Sequence, residues 1–117
     1  MGAGGMATIF VTSADSGAGK TGVAAAIARH YAYKGKSVQL FRLASDDAEN
    51  AAADAAFYGA QSFAPGSPSA PIGTADVGTS IDLAVVEGNV AQAAAFPDAL
   101  VVAVGRGGAA AVPSGLK

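Results

Sequence analysis

At 117 residues, with 51% hydrophobic and only 14% charged side chains, the chain can fill the core of one domain and no more. A formal net charge of −2 with no basic block argues against nucleic acid as a partner, and no apolar run approaches the roughly 20 residues of a membrane span. The lack of cysteine excludes disulfides and thiolate metal sites, in keeping with a cytoplasmic setting.

Residues 1–6 are Gly-rich, without the charge and apolar block of a signal peptide, and read as a flexible leader. Residues 7–117 read as one domain. The β-branched run Thr8-Ile9-Phe10-Val11 predicts a short buried strand. It breaks into the small-residue loop Thr12-Ser13-Ala14-Asp15-Ser16-Gly17-Ala18, and a helical pattern opens at about Gly19. A strand, a Gly-bearing loop that closes on Gly19-Lys20-Thr21 and a helix that opens there give the order of a phosphate-binding P-loop, with Ala14 where the strict pattern has Gly. Gly17 and Gly19 let successive backbone N–H groups turn inward on a phosphate, and the helix N-terminus adds partial positive charge. The expected cradle is Asp15, Ser16, Gly17, Ala18, Gly19, Lys20, Thr21 and Gly22. Lys20 would reach the β/γ-phosphates, and the Thr21 hydroxyl would ligate Mg²⁺. The plainer alternative is a tight strand-to-helix turn that happens to contain Gly-Lys-Thr.

From Thr21 to Lys34 the pattern is an Ala-rich helix. Val23, Ile27 and Tyr31 form its apolar stripe, widened by Ala24 and Ala28, and Gly35 is placed to end it. His30, near the helix end, reads as a solvated or capping side chain, and Tyr31 and Tyr33 as packing or surface groups. Ser37 to Leu43 predicts a second strand, parallel to the first through a βαβ unit. Ser45 or Asp46 can cap a following Ala-rich helix that runs to about Gln61. Asp46, Asp47 and Asp54 are open between two roles, capping or solvated acids on one side and magnesium or substrate groups on the other.

Phe63 to Thr79, with Pro65, Pro68 and Pro71, excludes helix and central strand; a surface connection is preferred to a mobile loop over a substrate site. Ile81 to Gly88 predicts a third, fully buried strand. It ends in Glu87, at the sheet edge where Mg²⁺ sits beside a P-loop. A short Ala-rich helix or turn spans Asn89 to Phe96, and Ala99 to Val104 reads as the fourth strand. Arg106 follows in a Gly-rich loop as a weak candidate for phosphate or substrate contact.

The stretch Thr12 to Thr21 resembles the P-loop of the dethiobiotin synthetase group, which includes cobyrinic acid a,c-diamide synthases and the related N-terminal domain of some phosphate acetyltransferases. Asp15 stands five residues before the P-loop lysine, and Val85-Val86-Glu87-Gly88 matches the third strand. Asp15 also occupies the place where partitioning and septum-site ATPases carry a signature lysine, which argues against that branch. The resemblance spans roughly residues 7–105. It implies an α/β domain of P-loop NTPase type, a mostly parallel sheet of about four strands with flanking helices, binding ATP and Mg²⁺. By position, Lys20 would stabilise the transferred phosphoryl. Thr21, Asp54 (the match to an acid that opens the relatives' next helix) and Glu87 would hold the metal. Arg42 stands where these relatives have lysine and Leu43 where they have proline; Arg42 keeps the charge and can grip a carboxylate in a bidentate way.

Full members run to roughly twice this length, so the domain is incomplete relative to them. A short parallel sheet would leave an edge for a homodimer partner, a second subunit or another domain to cover. Two functions compete. One is a regulatory nucleotide-binding module, which the short length, Arg42 and the altered Glu-Gly loop (Asn89-Val90-Ala91) favour. The other is an ATP-dependent synthetase or ligase activating a small carboxylate or carbamate. A P-loop fold that has lost nucleotide binding is a third option, against which stand Lys20, Thr21 and Glu87.

Overall fold

The computed structural model describes residues 7–12, 20–45, 48–77, 81–104 and 110–111. Residues 1–6, the loop residues Asp15, Ser16, Gly17, Ala18 and Gly19, the acids Asp46 and Asp47, and Arg106 therefore lie outside the described residues.

The chain forms β1 (Ala7–Thr12), α1 (Lys20–Tyr33), β2 (Val38–Arg42), α2 (Ala48–Gly59), β3 (Leu83–Glu87), β4 (Leu100–Val104) and β5 (Ala110–Ala111). These build one sheet in the order β2-β3-β1-β4-β5, in which β2, β3, β1 and β4 are mutually parallel and the two-residue β5 is antiparallel to β4. The α/β class with four parallel strands and flanking helices is therefore present. The crossover from β1 to β2 spans one strand position, which β3 fills. Short β5 carried no pattern that the sequence reading picked up.

Side-chain alternation assigns the two sheet faces. Ile9 and Val11, Val38 and Leu40, and Leu83 and Val85 point to the face where Ala24, Ala28 and Tyr58 pack. Phe10, Phe41, Ala84 and Val86 point to the other face, covered by Ile72, Val77, Ala93 and Phe96 from the connecting segments. The buried residues of α1 are Ala24 and Ala28, while Val23, Ile27 and Tyr31 flank them half-buried. The small residues thus form the centre of the helix face rather than its margin, because only a methyl fits where helix and sheet lie closest. Gly35 ends α1 at φ +88°, and its N–H donates to the Ala32 carbonyl at 3.0 Å, the left-handed cap anticipated there. His30 is exposed, edge-on to the Tyr31 ring.

Asp54 sits in the middle of α2, not at its start. The alanines on either side continue the helix through it, in line with the Ala-rich helix expected to run to about Gln61, whereas the acid that Asp54 matches in the resembling family opens its helix. The Pro-containing stretch also does more than connect. Leu43 and Ile72 pair as a parallel bridge beyond β2, and a 3-10 turn follows at Thr74–Asp76. Residues 90–95 form a 3-10 helix capped by Asn89, whose side chain accepts from the Gln92 N–H. Among the described residues, no helix is long and apolar enough to cross a membrane.

Candidate functional site

Parallel strands carry their C-terminal ends to one edge, and at that edge β2 ends in Arg42 and β3 in Glu87. The two are register partners across the β2–β3 ladder, and Glu87 also lies opposite Val11 of β1. Because 38, 40 and 42 share a face, as do 83, 85 and 87, both charged side chains project toward α1 and α2.

There they meet three groups from the helices. Thr21, in the first turn of α1, donates from Oγ1 to Glu87 Oε1 at 3.1 Å. Tyr58, from α2, donates its hydroxyl to the same oxygen in a short hydrogen bond. Asp54, one turn earlier on α2, accepts at Oδ2 from Arg42 Nε at 3.1 Å, and the same Nε lies 3.6 Å from Glu87 Oε2. Arg42 also donates from Nη1 to the Leu43 carbonyl at 2.6 Å. Glu87 is 1% exposed and Arg42 7%.

Burial is the main influence on the Glu87 carboxyl and pushes it up, with Asp54 adding to the rise; the Tyr58 hydrogen bond, Arg42 and Thr21 oppose it. The Tyr58 hydroxyl is likewise pushed well above its usual range, by burial first and by Glu87 next, so it serves as a donor at any ordinary pH.

Thus Thr21, Arg42, Asp54 and Glu87, chosen from the sequence for separate reasons, converge on one cluster. Lys20 opens α1 beside them, half-buried, and Gly22 is exposed on the same turn. Tyr58 was not among the candidates. Its signal was its spacing: four residues after Asp54, it falls on the same helix face.

No family model, curated protein or solved structure matches this chain. The chemistry of the site therefore has to be read from its own donors.

Those donors are a threonine hydroxyl and two carboxylates, the hard oxygens that Mg²⁺ takes, and Mg²⁺ needs only one or two carboxylates when waters and phosphate complete its shell. A larger acidic cluster is not required, and among the described residues no group of three His, Cys, Asp or Glu converges. Two buried hydroxyls near the C-terminal sheet edge, Thr12 at the end of β1 and Ser45 just past β2, have no hydrogen-bond partner among the described residues. Unpaired buried hydroxyls cost about 1–3 kcal/mol each and accumulate where a ligand completes them. The donor set is of a kind that fits a hard divalent cation.

A concavity of about 720 Å³ opens at the other end of the strands, between Tyr31, Lys36, Asp82, Phe96 and Leu100. Asp82 is already engaged there by the Ser37 N–H, leaving an open hollow with mixed charge and none of the clustered groups described above.

Proposed function

We propose that the chain is an ATP- and Mg²⁺-binding P-loop module of the dethiobiotin synthetase type, acting through regulatory nucleotide binding. One observation carries this reading: Thr21 and Glu87, 66 residues apart, meet at 3.1 Å where a helix start faces the C-terminal edge of a parallel sheet. That pairing follows from the motif order in the sequence, and a chance turn containing Gly-Lys-Thr would not require it.

Thr21, Glu87 and Asp54 are the residues that would hold Mg²⁺, which when bound neutralises charge on the phosphate oxygens. Lys20, at the start of α1, supplies a positive charge to the terminal phosphates, and the positive end of the helix dipole there favours an anion. Tyr58 holds the Glu87 carboxylate from behind. The Arg42 guanidinium, which in a synthetase would face substrate, is instead turned into the protein's own carboxylates. This supports a binding module over the synthetase.

Calorimetric titration of ATP, with and without Mg²⁺, into the wild type and Lys20→Ala tests the reading. Mg²⁺-dependent binding should be lost by at least about tenfold in the variant, the loss expected when a charged phosphate contact is removed. Failure of the wild type to bind ATP would overturn it. ADP release on adding a small carboxylate would move the assignment to the synthetase.

A further inference from the structure

Two carboxylates assigned above to a divalent cation already share a cation of the protein's own. Arg42 Nε bonds Asp54 Oδ2 at 3.1 Å and lies 3.6 Å from Glu87 Oε2, and Nη1 is anchored on the Leu43 carbonyl. One guanidinium thus offsets two negative charges, one of them almost fully buried. Arg42 is itself nearly buried, so water does little to screen it. Glu87 Oε1 is engaged separately, by Thr21 and Tyr58. The Oε2 side is therefore where an incoming cation and the guanidinium meet.

We infer that Arg42 is an internal cation that competes with divalent metal for Glu87 and Asp54, and so sets the metal affinity of the site. Metal at these carboxylates repels the guanidinium at short range and removes its partners. Arg42 must then leave, and its charge becomes available to a bound anion. Metal loading and release of Arg42 are one event. The inference rests on the metal assignment proposed above and adds to it a residue that opposes loading.

The test is Mn²⁺ titration of the nucleotide-free full chain, followed by the electron paramagnetic resonance of free Mn²⁺. Wild type, Arg42→Met and Arg42→Lys are compared at one pH, with circular dichroism to confirm folding. Removing a nearby buried positive charge should tighten Mn²⁺ binding in Arg42→Met by about tenfold or more, whereas Arg42→Lys, which keeps the charge, should stay within about threefold of wild type. A merely structural role for Arg42 would loosen the site and weaken binding. Unchanged, weaker or absent Mn²⁺ binding in Arg42→Met therefore overturns the inference. Should Arg42→Met not fold, the unmodified chain decides. The Arg42 Nε–H resonance should shift and exchange faster with solvent on adding Mg²⁺, and an unmoved resonance at saturating Mg²⁺ overturns the inference. Failure of the nucleotide reading looks different, since it shows as absent ATP binding in the wild type whatever the Mn²⁺ curves do.

Discussion

Tyr58 carries one polar atom into an otherwise apolar layer, and that atom lands on Glu87. Its ring is fully buried with Val85 and Leu40 in the same layer, so Tyr58→Phe preserves the packing and deletes only the donor. A hydrogen bond to a charged, buried acceptor contributes about 1.5–3 kcal/mol, and the variant should lose that much in urea unfolding with an unchanged m-value. A loss under about 0.5 kcal/mol would mean that Thr21 and Arg42 hold Glu87 without it. Four of the five clustered side chains were legible as candidates, Thr21 because it follows the motif lysine, Glu87 because it closes a buried strand, and Arg42 and Asp54 through their match to positions of the resembling family. Tyr58 was not, since an aromatic in an Ala-rich helix reads as core by default. Asp46, Asp47 and the loop from Asp15 to Gly19 lie outside the described residues, and of the three acids Asp54 is the one whose contacts the structure gives.

At the scale of elements, β2 and β3 are clasped where they begin. The Ser37 N–H donates to Asp82 Oδ2 at 2.9 Å, and the Asp82 N–H donates to Ser37 Oγ at 2.9 Å, a reciprocal pair just before both strands. Hydrogen bonding from the Ser37 backbone first and from its side chain second holds the Asp82 carboxyl below its usual range, with a smaller contribution from Lys36. A carboxyl depressed in the folded state stabilises it above the unfolded-state value, near 3.9 for Asp, and that contribution is lost as pH falls through the folded-state value. The stability gap between wild type and Asp82→Ala should therefore be present at pH 7 and shrink below about pH 4. A gap independent of pH would assign it to the Ser37 backbone geometry alone. The helix α1 shows the same division between local and non-local control. Its end at Gly35 is a local matter of left-handed backbone, foreseeable from Lys-Gly-Lys. Which of its apolar residues sit deepest depends on how closely it approaches the sheet, and there Ala24 and Ala28 displaced the larger stripe.

At the scale of the molecule, the outer edge of β2 is closed by the chain's own Pro-containing segment. The buried Leu40 N–H donates to Ser67 Oγ at 2.8 Å, Gln39 Nε2 to the Pro65 carbonyl, and Ile72 exchanges backbone bonds with Arg42 and Ala44. The stretch read as a surface connection is a strap over the edge that a partner was expected to cover on that side. Ser67→Ala leaves a buried N–H unpaired and should cost about 1–3 kcal/mol, measured by thermal or urea unfolding. A neutral Ser67→Ala would show that the strap contributes little to closing the edge.

Hydrophobic runs, breakers and the Gly-Lys-Thr turn settled by themselves which segments are strands and helices, since those depend on residues a few positions apart. They also settled that Lys20, Thr21 and Glu87 stand at the ends of their elements. Strand order was beyond them. Nothing local to Val38–Arg42 or Leu83–Glu87 says that β3 inserts between β1 and β2, because the choice depends on which apolar faces bury best across the whole sheet. That insertion sets Glu87 between Arg42 of β2 on one side and Val11 of β1 on the other. Only the tertiary structure could therefore decide that Glu87, the acid proposed for a metal ion, stands beside an arginine in this chain.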